Sequence, residues 1–256
     1  MSEKINNLPK KLLKKLSAKA GKTIREHSLL GDGDRLLVGL SGGKDSMILL
    51  EILAERIPAL PFRVELFAVH VIPEGIGYHV NLEFLEEFCR GLGIQLIVRR
   101  IRPEIDPEIK APCFVCSWER RKTIFNLTKE LNCNKLAFGH HRDDALQTFL
   151  MNMLYHGSVS SMPYKLRMFE GRVHLVRPLL DTWEKDLALY AGYRNYSSVE
   201  KECPHDEKTK RNYTAELLDK LEKDYPKAKI NMFKALDNIY GEYLPHSGRR
   251  SGKDTG

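Results

Sequence analysis

The sequence predicts an α/β fold: a doubly wound, mainly parallel sheet with helices on both faces, plus helical N- and C-terminal extensions. Three observations predict it. Apolar runs of strand length alternate along the chain with segments of helical spacing, the pattern of parallel strands joined by right-handed crossovers. The run from Val64 to Val71, VELFAVHV, is almost continuously apolar, as in a strand covered on both faces. The first strand-to-helix junction, within Leu36 to Leu53, carries two adjacent glycines, which allow a tight turn and close approach of a ligand to the backbone.

The elements follow in order. Residues 8–30 place Leu12, Leu13, Leu16, Ala20 and Ile24 at helical spacing among lysines and arginines, predicting one or two basic helices. The charged face is either a solvated surface or a contact for RNA phosphates. Gly31-Asp32-Gly33-Asp34 turns into a strand at Leu36–Leu40, and a helix begins after Ser41–Ser46. After the 64–71 strand, Leu82 to Gly91 reads as a helix with Leu82, Leu85, Phe88 and Cys89 inward. Residues 93–98 form the next strand and Leu136–Phe138 a shorter one. A helix follows with its stripe at 145, 146, 149, 150, 153 and 154. Residues 158–181 interleave Lys165, Arg167, Arg172 and Arg177 with Tyr164 and Phe169, which suits either an RNA surface or a plain basic hairpin. Residues 214–241 read as one or two charged helices. The expected division is a basic helical extension over 1–30, a nucleotide domain over 31–200, a helical segment over 201–245 and a disordered tail over 246–256.

Composition bounds the function. The chain has 256 residues, 42% hydrophobic and 29% charged, an ordinary globular balance. Its net charge of +7 favours a polyanionic partner. No apolar run reaches the ~20 residues needed to span a bilayer, and the Lys-rich N-terminus lacks the apolar core of a signal peptide. Five cysteines in a chain of this size are not a disulfide framework. A cytoplasmic protein without a membrane partner is expected.

Ser41-Gly42-Gly43-Lys44-Asp45-Ser46 reads as a socket for phosphate. The unpaired amides at a helix start, the positive end of its dipole, two hydroxyls and the Lys44 ammonium converge there. A Walker loop does not fit, because Gly39 lies too close to Gly43 and Lys44 is followed by Asp45. SGGKDS instead resembles the pyrophosphate loop of the N-type ATP pyrophosphatases. An acidic residue inside such a loop would repel phosphate unless a cation sits between them, so Asp45 points to Mg²⁺.

Two further constellations carry chemistry. Gly139-His140-His141-Arg142-Asp143-Asp144 lies at a strand end before a helix. One aspartate there would cap helix amides, but the cluster is more polar than a cap requires, and it resembles the second signature of that family, GHHxDD, which implies a role near ATP. Cys113-Phe114-Val115-Cys116 precedes the basic run that holds Arg120, and Cys203-Pro204-His205 lies far downstream. A redox pair, core thiols and metal ligands are all open readings of the C-x-x-C. Three cysteines suit a [4Fe–4S] cluster with one iron free of protein ligands. The same three with His205 equally suit a closed zinc site. Cys89 and Cys133 sit in apolar contexts and read as core.

Together SGGKDS, PCxxC with its basic residues, GHHRDDALQTFLMN and the downstream Cys-Pro resemble the TtcA-like tRNA 2-thiocytidine synthetases of the PP-loop superfamily, with an adenine nucleotide α-hydrolase-like fold. The thiouridine synthetases are more distantly similar. The resemblance runs from about Ala18 to Met153 and more loosely to about Arg211. It implies ATP-dependent adenylation of the C2 oxygen of a tRNA cytidine, followed by replacement with sulfur through a [4Fe–4S] cluster. It further implies Cys113, Cys116 and Cys203 as cluster ligands, and Ser41, Gly42, Gly43, Lys44, Asp45 and Ser46 as ATP and Mg²⁺ ligands. Val69, His70, Gly139 and His140 would lie beside the nucleotide, and Asp144, Arg120 and Lys44 near the reacting groups. The implied partners are tRNA, a sulfur donor such as a cysteine desulfurase or free sulfide, and a second copy in a homodimer. Longer relatives carry a second C-x-x-C where this chain has Cys203 alone, so His205 is a candidate fourth ligand. The chain also lacks the extra zinc-finger cysteines of the thiouridine branch. The rival readings are another PP-loop tRNA ligase, of lysidine or thiouridine type, and a zinc-stabilised RNA-binding protein without activity.

Overall fold

The computed structural model describes residues 8–76, 78–104, 112–196 and 210–244, with the side chains of 112–114 outside that description. Strands β1 (Asp34–Gly39), β2 (Val64–Pro73), β3 (Leu96–Ile101), β4 (Lys135–Ala137), β5 (Lys165–Met168) and β6 (Val173–Val176) form one sheet in the order β3-β2-β1-β4-β6-β5. All the pairings are parallel except that of β5 with β6. The chain moves outward from β1 to β2 and β3, then returns to β1's other edge for β4. The order therefore reverses between β1 and β4, which is where open α/β sheets bind ligands beyond the strand ends.

The helices are α1 (Leu8–Glu26), α2 (Lys44–Arg56), α3 (Leu82–Gly91), α4 (Pro112–Glu130), α5 (Arg142–His156), α6 (Glu184–Arg194), α7 (Lys210–Asp224) and α8 (Ala228–Ala235). Alternation along β1 sorts them onto two faces. Leu36, Val38 and Leu40 pack into one core with Leu16, Ala20 and Ile24 of α1, most of α2, Leu85 of α3 and Leu187 of α6. Leu37 points the other way and joins Val69, Val71 and Leu136 beneath Ile124 and Leu127 of α4. The doubly wound expectation holds. Met47, Ile48, Leu49, Leu50, Ile52 and Leu53 are all fully buried, because α2 lies between the sheet and the outer helices α1 and α6. Each such side chain contributes roughly 1.5–3 kcal/mol relative to exposure, so α2 and the turn before it rest on the most buried part of the molecule. A third core joins Ala145, Leu146 and Leu150 of α5 to Leu218 of α7 and Phe233 of α8.

Three local outcomes differ from the sequence reading. The 93–98 strand begins later, at Leu96, because Gly93 ends α3. Gly93 has φ +69°, and its N–H donates to Arg90 O while that of Ile94 donates to Cys89 O, a Schellman closure that only then releases the chain into β3. The stripe of α5 is buried only in its first half: Met153 and Leu154 are exposed. The basic 158–181 segment forms the β5–β6 hairpin, yet Arg177 is buried. Among the described residues no helix is long and apolar enough to cross a membrane. The expected tail over 246–256 lies outside the described residues.

Candidate active site

The turn between β1 and α2 is closed by its own side chains. Leu40 N–H donates to Val69 O at 2.8 Å, tying the turn to the middle of β2. Ser46 Oγ–H donates to Gly43 O at 2.8 Å and accepts from Ser41 N–H at 3.1 Å. Ser41 Oγ accepts from Gly43 N–H at 3.2 Å and lies 3.1 Å from Ser46 Oγ. With the Ser46 proton directed at Gly43, Ser41 is the donor in that last pair. Gly42 adopts φ +85°, which a side chain would resist. No side chain caps Gly43 at the N-terminus of α2, so the first helix amides remain available to an anion.

Gly139, just past β4, locks the second motif onto this turn. A Cβ there would lie 2.7 Å from Asp45 O, 2.8 Å from Asp45 C and 2.9 Å from Ser46 N. Only a glycine lets the β4 end press against the first turn of α2. The contact brings GHHRDD to the loop, and three carboxylates then surround His141. Its Nε2 is 3.8 Å from Asp45 Oδ2 and 3.4 Å from Asp144 Oδ2, while Nδ1 is 3.8 Å from Asp143 Oδ2.

Each aspartate does something different. Asp144 Oδ2 accepts from His141 N–H at 2.9 Å, capping α5, and Asp144 Oδ1 pairs with Arg211 of α7. Asp143 is buried; its Oδ2 accepts from Glu184 N–H at 2.8 Å, capping α6, and its Oδ1 faces Lys229 Nζ at 3.3 Å. Lys229 in turn reaches Asp219 and Glu222 at 2.8 and 3.2 Å, so Asp143 ties α6 and α8 to the site. Asp143→Ala is expected to lower the unfolding free energy by about 1–3 kcal/mol, read from the urea midpoint at unchanged slope. It leaves the Glu184 amide without its carboxylate and removes one of three partners of a buried ammonium.

Asp45 has an unusual environment. Its Oδ1 is buried and has no hydrogen-bond partner among the described residues. Burial raises its carboxyl above the usual range, and Asp144 adds to this, against the opposing pull of His141 and Lys44. Lys44 Nζ sits 3.0 Å from Glu184 Oε1 and 3.3 Å from Asp45 Oδ2. Burial alone would lower its pKa, but Asp45 and Glu184 outweigh burial and raise it, so the ammonium stays charged.

Beyond the strand ends lies a cavity of about 840 Å³. Of the sequence-predicted residues, Ser41, Asp45, Ser46, Val69, Gly139, His140, Asp144, Arg120 and Cys116 line it together. Gly42, Gly43 and Lys44 are not part of this wall; Lys44 points instead to Glu184 of α6. His70 is also outside the wall. It is fully buried, its Nδ1 lies 2.7 Å from Leu40 O, and burial lowers its pKa, so the neutral ring donates to that carbonyl and braces the turn. Cys113 lies on the first turn of α4, one helical turn before Cys116, with its side chain outside the described residues. Cys203 and His205 also lie outside them. Among the described residues no three His, Cys, Asp or Glu side chains form a metal site. Cys89 and Cys133 are buried, and burial pushes each thiol up to about 11, as expected of core cysteines.

Several site residues were not assigned to the site from the sequence. Tyr78 donates from its hydroxyl to Ser41 O at 3.2 Å, and the Arg120 guanidinium lies 5.3 Å from its ring centre. Arg177 and Arg211 line the cavity with Arg120 and Arg121, giving it four arginines. Glu184 begins α6, a helix that the sequence reading did not assign. Arg177, among the cations of 158–181, and Arg211, with Lys208 and Lys210 near Cys203, stood out locally, but both read as charge on an RNA-facing surface.

A family profile described as the PP-loop domain matches residues 12–221. A tRNA-cytidine(32) 2-sulfurtransferase from Pseudomonas putida (strain W619) is 35% identical over 90% of this chain and 85% of its own length. One from Anaeromyxobacter sp. (strain Fw109-5) is 36% identical over 91% and 78%. Among solved structures, the U34-tRNA thiolase NcsA from Methanococcus maripaludis, determined with its [4Fe–4S] cluster, superposes with a TM-score of 0.75. It is 25% identical and covers 93% of this chain and 81% of its own. The profile match over most of the chain and these relatives show that this chain belongs to the PP-loop family, with the tRNA-cytidine(32) 2-sulfurtransferases.

Proposed function

We propose that this protein is an ATP-dependent tRNA sulfurtransferase that replaces the C2 oxygen of a cytidine with sulfur. The observation that carries the reading is the common cavity: the phosphate turn, Asp144, Arg120 and Cys116 line it together. The C2 oxygen of the base attacks the α-phosphorus of ATP, and pyrophosphate leaves. Sulfur at the oxidation level of sulfide then attacks C2, and AMP departs with the original oxygen. The α2 amides stabilise the growing charge on pyrophosphate, joined by Lys44 once its ammonium turns from Glu184 to the phosphates. Asp144 and Arg120 stand beside the reacting groups, with Arg120 held against Tyr78.

Mg²⁺ fits Asp45. The orphaned, buried Oδ1 lacks a partner that a cation shared with phosphate oxygens would supply, and Mg²⁺ is often bound by one carboxylate plus phosphates. A cluster fits the donor set: Cys116 is on the cavity wall, Cys113 precedes it by one helical turn, and Cys203 lies eight residues before the cavity-lining Arg211 in the chain. When bound, a three-cysteine [4Fe–4S] cluster supplies an iron with a position open to sulfur. The exposed Trp118, with Lys122 5.0 Å from its ring centre and Arg121 beside it, suits stacking on a single-stranded base. A cytoplasmic homodimer served by a cysteine desulfurase or free sulfide belongs to the same reading. So does the division into a basic helix over 1–30, a catalytic domain over 31–200 and a cysteine-bearing segment over 201–245.

The test is anaerobic purification with iron, sulfide and zinc analysis, followed by mass spectrometry of nucleosides from tRNA incubated with ATP and sulfide. About four irons per chain and ATP-dependent 2-thiocytidine are expected. Cys116→Ser is expected to reduce thiolation to background while ATP binding persists. Stoichiometric zinc with no thiolated base would overturn the reading in favour of a zinc-stabilised RNA-binding protein.

A further inference from the structure

Arg177 follows β6 directly and is buried although it is a cation. Its backbone N–H donates to Tyr164 O at 3.0 Å, and its Nη1 donates to Pro163 O at 2.5 Å. Its Nε–H donates to His140 Nδ1 at 3.4 Å. A guanidinium offers donors on every nitrogen and accepts nothing. The ring nitrogen facing it must therefore carry the lone pair, and the proton of a neutral imidazole must sit on Nε2. Phe138 closes on the ring edge-to-face, with centroids 5.6 Å apart. His140 and Arg177 both line the cavity with Asp45 and Ser46. Among the described residues no protein group bonds His140 Nε2.

We propose that Arg177 is a positioning residue that locks His140 in the Nε2–H tautomer, so that His140 serves adenylation as a neutral hydrogen-bond donor to the α-phosphoryl oxygens and neither takes nor gives a proton. The inference rests on the nucleotide reading of the cavity. Burial, first of all, brings the His140 pKa down to about 4; Asp144 opposes this, while Arg177, Arg211 and His141 reinforce it. The ring thus stays neutral beside those charges. The chemistry asks for no base at this step, because the C2 carbonyl oxygen of cytidine carries no proton to remove. What it needs is a donor where charge grows, and in a buried site one donor is worth about 10²–10³ in rate.

The test uses the full-length, anaerobically purified protein with ¹⁵N-labelled histidine, His140→Gln identifying the resonance. A protonated Nε2 and an unprotonated Nδ1, unchanged from about pH 6 to 8, are expected. An Nδ1–H tautomer or an imidazolium would overturn the proposal, and the wild-type spectrum decides this even if Arg177 variants misfold. ATP–pyrophosphate exchange, with tRNA present and sulfur withheld, tests the role. His140→Ala should slow exchange about 10²–10³-fold. His140→Gln, whose amide N–H reaches the Nε2 position, should remain within about tenfold of wild type, as a donor role allows. Glutamine as slow as alanine would overturn the donor role. Absence of exchange in the wild type, with the spectrum as expected, would overturn the role in adenylation while keeping the tautomer.

Discussion

Gly139→Ala is expected to abolish ATP binding and to lower the unfolding free energy by about 1–3 kcal/mol, the usual cost of overpacking. The added methyl would sit 2.7 Å from Asp45 O and 2.9 Å from Ser46 N. These are backbone atoms in the first turn of a helix buried on all sides, so no side chain can swing away to make room. Either β4 or the start of α2 must move. Movement of α2 breaks the Ser41–Ser46 closure of the turn and misplaces the amides that face phosphate. Titration calorimetry with ATP and a urea melt read the two effects. Gly192→Ala in α6, where a Cβ meets nothing within 4 Å, is the control and should gain about 0.5–1 kcal/mol from helix propensity. Normal ATP binding by Gly139→Ala would mean that the two motifs are not mechanically joined.

Asp45→Asn is expected to cut ATP–pyrophosphate exchange by about 10²–10³-fold while raising the melting temperature of the ligand-free protein. The sign follows from the pKa. Burial raises the folded-state pKa of Asp45 above its unfolded value, so the folded protein binds this proton more tightly than the unfolded chain does. The stabilising contribution is complete below the unfolded pKa and is lost as pH rises through the folded one. At neutral pH the ionised carboxylate, with a buried and unpartnered Oδ1, is a net cost to the empty site. Asparagine removes the charge, and with it the oxygen pair a Mg²⁺ ion would use. The stabilisation should therefore shrink when wild type and variant are compared at acidic pH, and reverse when Mg²⁺ and ATP are present. A variant less stable than wild type at neutral pH without ligand would show that Asp45 is held for structure.

Much of the fold was legible because strand and helix periods are local. The apolar run of β2, the stripe of α1 and the glycine turn at Gly42-Gly43 each announced themselves. The end of β3's preceding turn was misplaced because Gly93 was read as strand, whereas its positive φ closes α3. The stripe of α5 was read as one continuous apolar face, but spacing says nothing about what covers a face, and Met153 and Leu154 are exposed. Arg177 was grouped with surface cations because charge is a property of the residue, whereas its burial against His140 and Pro163 is a property of the packing.

The sequence alone determined the sheet class and the phosphate turn, since each depends on residue type at short spacing, whereas the partnership of SGGKDS with GHHRDD was legible only through a family resemblance. Tertiary structure alone decided how those residues divide their work. It turned Lys44 toward Glu184, made His70 a brace for Leu40, sent Asp143 to the α6 terminus while leaving Asp144 on the cavity wall, and set Arg177 behind His140. The physical reason is that these assignments depend on which groups lose water and which partner remains within hydrogen-bond reach, and those partners lie about 30–140 residues away along the chain.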